Sequence, residues 1–214
     1  MTGSTRSTGL TGPKLAVLDY GIGNLHSAQR GLQRTGADAR LTKDRADIEA
    51  ADAVVLPGVG AFGACMQALA DTGLDKLAVE AADSGRPFLG ICVGMQLLYE
   101  GSDESPGVSG LGILPGRVEW LPDHVKRPQM QWNQLHVTAP EHPLVAGLDG
   151  AWLYFVHSLA AAPSESAAEV IATTDYGGSV VAAVGSGNVV ATQFHPEKSA
   201  KAGLKLLNNF VESL

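Results

Sequence analysis

The chain has 214 residues, 45% of them hydrophobic and 17% charged, with a formal net charge of −7 and a pI near 5.3. That composition suits a folded domain with a sizeable core and excludes a disordered chain, and an acidic balance with no long basic cluster argues against nucleic acid as a partner. No apolar run approaches the roughly 20 residues of a membrane span, and two cysteines, Cys65 and Cys92, rule out a disulfide framework and a paired-cysteine metal site.

Residues 1–13 are rich in Ser, Thr and Gly and lack an apolar signal core, so they read as a flexible leader before one domain over 14–214. Unpaired thiols and no signal segment point to the reducing cytoplasm. Residues 14–20 form an apolar run that reads as a buried strand, closed by Gly21-Ile22-Gly23-Asn24. Residues 24–35 place Leu25, Ala28 and Leu32 on one face and stop at Gly36, which predicts a helix with a glycine C-terminal signal. A short strand at 39–41 and a β-branched strand at 53–57 follow, the latter running into Gly58-Val59-Gly60. Helical patterns cover 61–69 and 74–84. Apolar strands alternating with helices imply a mostly parallel sheet covered on both faces, whose ligands bind beyond the carboxyl ends of the strands.

After residue 100 the pattern changes. Residues 101–112 read as a loop, and 117–120, 135–137, 152–156, 170–173, 179–184 and 188–194 as strands, so the C-terminal half is strand-rich. A helix over 199–214 closes the chain, with no linker and no internal repeat.

Two stretches carry chemistry. Phe88, Leu89 and Ile91 make a short buried strand, and Met95, Leu98 and Tyr99 open a helix after it, with Gly90-Ile91-Cys92-Val93-Gly94 between them. A strand-turn-helix with glycines two residues either side of a cysteine is the geometry of a nucleophile elbow; a core cysteine beside two packing glycines fits the same spacing. The second stretch is His195-Pro196-Glu197-Lys198-Ser199. In an extended segment His195 and Glu197 point the same way, so the carboxylate can orient the imidazole and leave its other nitrogen for a thiol. Elbow and His-x-Glu together favour the catalytic reading over the structural one. The remaining histidines are scattered at no ligand spacing, so no metal is expected, and Cys65 lies on a helical pattern with Met66 and Leu69 that suits core packing.

Pro57-Gly58-Val59-Gly60, Gly90-Ile91-Cys92-Val93-Gly94-Met95-Gln96 and His195-Pro196-Glu197-Lys198-Ser199 together strongly resemble the triad (class I) glutamine amidotransferases. Asp19-Tyr20-Gly21-Ile22-Gly23-Asn24 and Tyr154-Phe155-Val156-His157-Ser158 are similar, more narrowly, to the glutaminase subunits of imidazole glycerol phosphate synthase. One departure stands out: Pro128-Gln129-Met130-Gln131-Trp132-Asn133 carries glutamines where that family usually has histidine and glycine.

The resemblance implies a flavodoxin-like α/β fold and a Cys92, His195, Glu197 triad that hydrolyses L-glutamine through a cysteinyl thioester without a cofactor. It implies oxyanion and substrate contacts from Gly58, Val59, Gly60, Val93, Gln96 and Ser158. It also implies a heterodimer with a cyclase subunit, a (β/α)8 barrel that receives ammonia through a channel, with Asn24, Tyr154 and Lys198 as interface candidates or plain surface residues. Three other readings compete: the glutaminase of pyridoxal phosphate, anthranilate or GMP synthesis, a non-catalytic protein on the same fold, and a related cysteine hydrolase.

Overall fold

The computed structural model describes residues 12–163 and 169–214. The expected leader lies outside them apart from Gly12 and Pro13. The first half alternates strand and helix: β1 (Lys14–Leu18), α1 (Leu25–Gln33), β2 (Asp38–Thr42), α2 (Arg45–Glu49), β3 (Ala53–Gly58), α3 (Phe62–Thr72), α4 (Leu74–Asp83), β4 (Phe88–Cys92) and α5 (Val93–Leu97). The second half is mostly β: β5 (Gly101–Ser102), β6 (Gly116–Trp120), β7 (Gln129–Gln134), β8 (His136–Val137), β9 (Trp152–His157), β10 (Leu159–Pro163), β11 (Glu169–Asp175), β12 (Ser179–Ser186) and β13 (Val189–Thr192), closed by α6 (Ala200–Glu212).

Eight strands form the central sheet in the order β2-β1-β3-β4-β13-β12-β11-β8. From β2 to β13 every pairing is parallel, and β12, β11 and β8 add an antiparallel edge. β3 and β4 are buried at every position, as the middle of a sheet covered on both faces must be. α1 packs with α6, and α3 with α4. The buried stripe of α1 is Leu25, Ala28 and Leu32, the three positions its periodicity predicts. Two small sheets, β10-β6-β5 and the β7–β9 ribbon, complete the strand-rich half.

The structure departs from the expected elements in several places. α2 has one buried residue, Ile48, and is set instead by Asp44, whose carboxylate accepts from the Ala46 and Asp47 N–H groups. The Gln-Met-Gln-Trp-Asn-Gln run becomes β7 because β9 supplies its ladder partner across six residue pairs. β10 forms by pairing with β6, and the loop at 101–112 contributes β5 to the same sheet. The strand expected over 188–194 ends at Thr192, where the chain leaves the ladder toward His195.

Candidate active site

Cys92 is the last residue of β4 and the N-cap of α5, with φ +54° and ψ −113°. Among the described non-glycine residues, only Cys92 and Ala200 have positive φ. Holding an L-residue there costs on the order of 1–3 kcal/mol, so the surroundings must over-determine it. The glycines do so by letting backbones close in. A Cβ on Gly94 would lie 1.8 Å from the Leu56 carbonyl oxygen, and one on Gly90 would lie 3.1 Å from the Met95 nitrogen. Gly58, the register partner of Cys92, could carry no Cβ either, because it would lie 2.6 Å from the Gly94 nitrogen. The expected elbow is therefore present, and Cys92 stands at its tip, 3% exposed.

His195 follows β13 and precedes a 3-10 turn, Pro196–Lys198. The expected extended segment is thus a tight turn, with Pro196 at its first position, where a missing N–H costs nothing. The contact expected of it is nevertheless made: His195 Nδ1 and Glu197 Oε1 lie 2.8 Å apart with both side chains buried. The backbone around the imidazole is tied to β9, since His195 N–H donates to Tyr154 O at 3.0 Å. Ser199 completes the tie, its hydroxyl accepting from Tyr154 N–H at 2.9 Å and donating to His195 O at 2.6 Å. Burial alone would disfavour the imidazolium, but Cys92 and Glu197 outweigh it and push His195 up to about 9. Its Nε2 is buried without a hydrogen-bond partner.

One cavity of about 380 Å³ collects these groups. Cys92, Val93, Gln96, His195, Val59, Gly60 and Ser158 all line it, and so do Asn24 and Lys198. Glu197 stands behind His195 rather than on the wall. Gly58 is also off the wall, packed under the elbow, and Tyr154 lies on the β7–β9 ribbon with its ring edge-on to Trp132, 6.0 Å between centroids. Gln96 is 4% exposed rather than a helix-surface residue, and its NH₂ donates to Leu159 O (3.1 Å) and Gln193 Oε1 (3.0 Å).

The sequence reading missed several neighbours. Gln193 bridges Gln96 to the thiol, its own amide lying 3.8 Å from Cys92 Sγ. His157 lines the cavity with Nδ1 2.7 Å from Leu159 O, and burial holds it down to about 4, so it is neutral at pH 7. A carbonyl can only accept, so Nδ1 carries the proton and Nε2 is an acceptor. Gln129 is fully buried as the ladder partner of His157, and neither of its amide atoms has a hydrogen-bond partner. Glu104 reaches the cavity from the 101–112 segment while accepting from Phe62 N–H at 2.6 Å. His157 and Gln129 lie in stretches already singled out, 154–158 and 128–133, whereas Gln193 and Glu104 lie in none. Among the described residues no group of three or more His, Cys, Asp or Glu could hold a metal ion, and no helix is long and apolar enough to cross a membrane.

A nucleophile elbow on a parallel sheet facing a carboxylate-oriented histidine defines a class, and residues 16–214 match the family model of class-I glutamine amidotransferases. The chain belongs to that family. Solved structures agree in fold: one described as a glutamine amidotransferase superposes with a TM-score of 0.74 at 22% identity over 92% of this chain and 97% of that one. PurLQS from Thermotoga maritima gives 0.73 at 19% identity over 94% and 99%. Curated relatives are nearer in sequence. Imidazole glycerol phosphate synthase subunit HisH of Methanothermobacter thermautotrophicus is 50% identical over 92% of this chain and 98% of its own length. The HisH proteins of Halobacterium salinarum (48% identical, 97% of each chain) and Acinetobacter baylyi (48%, 93% of this chain and 98% of that one) match as fully. Within the amidotransferases, the chain belongs to the HisH family.

Proposed function

We propose that this chain is the glutaminase subunit of imidazole glycerol phosphate synthase, hydrolysing L-glutamine to glutamate and ammonia for a cyclase subunit. The observation that carries the reading is the 2.8 Å His195–Glu197 contact beside an elbow cysteine in one cavity. Glu197 holds Nδ1, so Nε2 is the nitrogen that exchanges protons with Cys92. Nε2 has taken the Sγ proton before substrate enters, giving the imidazolium that Cys92 and Glu197 favour, and the thiolate attacks the side-chain amide carbon of glutamine, its C=O electron pair moving onto oxygen. The Val93 N–H and an N–H from the Val59–Gly60 segment stabilise that oxyanion. His195 then protonates the departing nitrogen, ammonia leaves, and a γ-glutamyl thioester remains. In the second half His195 takes a proton from water, the hydroxide attacks the thioester, and glutamate and the Cys92 thiol are regenerated. No step needs a group beyond these residues and water.

Gln96 contributes to substrate binding through Oε1, the atom its two donated hydrogen bonds leave over. Ser158 lines the same cavity, one residue beyond β9. The same ribbon offers the partner surface. Met130, Trp132 and Trp152 are 63%, 44% and 54% exposed, and they share one ribbon face with Tyr154, because Trp132 pairs with Tyr154 and Gln134 with Trp152. Exposed aromatic and methionine side chains beside a catalytic cavity suit an interface core. We assign this face, with Asn24 and Lys198 at the cavity, to the (β/α)8 cyclase that receives the ammonia through a channel.

A glutamine-shaped diazoketone, 6-diazo-5-oxo-L-norleucine, tests the site directly. It should alkylate the peptide containing Cys92, read as a mass shift, and spare Cys65. Labelling of Cys65, or no labelling of either thiol, would contradict the assignment.

A further inference from the structure

Two buried side chains grip consecutive alternate carbonyls of the segment that leaves β3. The Tyr20 hydroxyl donates to Pro57 O at 2.8 Å, and the Cys65 thiol donates to Val59 O at 3.3 Å. Tyr20 is 3% exposed and Cys65 0%, so neither bond competes with water. Between them Gly58 is pinned under the elbow by its contact with Gly94. Beyond them Gly60 sits at φ +97°, where a Cβ would meet nothing within 4 Å.

The orientation of the Val59–Gly60 peptide matters, because Val59 and Gly60 line the catalytic cavity and Cys65 does not. In a trans peptide the C=O and N–H point in opposite directions. Holding Val59 O against Cys65 therefore turns the Gly60 N–H away from the core. If Val59 O were released, rotation about the flanking bonds at Gly60 could turn the carbonyl into the cavity and repel the developing oxyanion.

We propose that Cys65, with Tyr20, is a positioning residue that sets the peptide orientation of the 57–60 segment and so aims an N–H, rather than a carbonyl, at the reacting oxygen. This deepens the glutaminase reading and rests on it. A thiol donates only while protonated, and burial pushes Cys65 up, which keeps it so. Tyr20 is pushed up as well, mainly by burial, and remains a donor at any pH the protein meets. Core packing alone would ask of residue 65 only that it fill space.

The test compares Cys65→Ala, Cys65→Ser and Cys65→Val in the full chain with the cyclase subunit, reading kcat and KM for glutamine. Alongside, the Gly60 amide resonance is followed by NMR in the same variants without substrate. Cys65→Ser keeps a donor and should hold kcat within about twofold. Cys65→Ala, and Cys65→Val where filling the space is needed for folding, should lower kcat about tenfold at nearly constant KM, part of what losing an oxyanion donor costs. The Gly60 resonance should broaden or shift in Ala and Val but not in Ser. An unmoved Gly60 resonance in all three variants would overturn the proposal, whatever the rates. Equal kcat losses in Ser, Ala and Val would overturn it too. A wild-type chain that releases no glutamate would count against the glutaminase reading alone, and the Gly60 resonance would still decide the positioning role.

Discussion

Gly58 and Cys92 are register partners at the carboxyl ends of two neighbouring parallel strands, and the absence of a side chain at the first lets the second turn through its strained corner. A Cβ at Gly94 would meet the Leu56 carbonyl at 1.8 Å, and both groups belong to the central sheet and its adjoining helix, so neither can yield. Gly94→Ala should cost more than ~3 kcal/mol or prevent folding. Gly60→Ala meets nothing within 4 Å and should lose only the ~1–3 kcal/mol of a positive φ. Urea unfolding of the two variants checks the order.

Glu197→Gln keeps the shape of the side chain but removes the charge that orients and stabilises the imidazolium. Its kcat should fall by about 10²–10⁴ with little change in KM, judged by the loss when the comparable carboxylate of a serine triad is neutralised. The carboxylate is also one of the two groups that raise His195 to about 9. The alkaline limb of the pH–rate profile should therefore move to lower pH in the variant. An unchanged limb would place its origin elsewhere.

The two cavity histidines have opposite effects on stability with pH. His195 is raised from 6.5 to about 9, so its contribution is fully present below 6.5 and lost as pH climbs through 9. His157 is lowered from 6.5 to about 4. Below 6.5 the unfolded chain binds a proton that folded His157 refuses, so stability falls as pH drops from 6.5 toward 4, by roughly 3 kcal/mol in all. The difference between the unfolding curves of wild type and His157→Gln over that range isolates this effect from the carboxylates, and it should shrink toward acid pH.

Local pattern carried much of this fold. The buried strands, α1 and the elbow are legible because their signals lie within a few residues: apolar runs, a 3.6 period, and glycines flanking Cys92. α2 was not, since it buries only Ile48 and depends on a cap. β7 was not, because alternating polar residues become a strand only when β9 pairs with them. Gln193, and the buried placement of His157 and Gln129, stayed hidden for a related reason. Their meaning comes from contacts such as Gln193 with Gln96 and Cys92, about a hundred positions away, which no window along the chain contains.

Trp132 stands 44% exposed against the half-buried Tyr154 ring. Trp132→Ala should leave the unfolding midpoint of the isolated chain within a degree or two while weakening the cyclase complex at least about tenfold, as the loss of a central aromatic anchor does. Titration calorimetry against the cyclase subunit measures it.

The most direct measurement of the central claim is glutamate release from glutamine by the chain alone, with the cyclase subunit, and with that subunit and its nucleotide ligand, each repeated with Cys92→Ala. The account predicts hydrolysis that responds to the cyclase, and none in the variant under any condition. Hydrolysis that survives Cys92→Ala, or that ignores the cyclase, would contradict it.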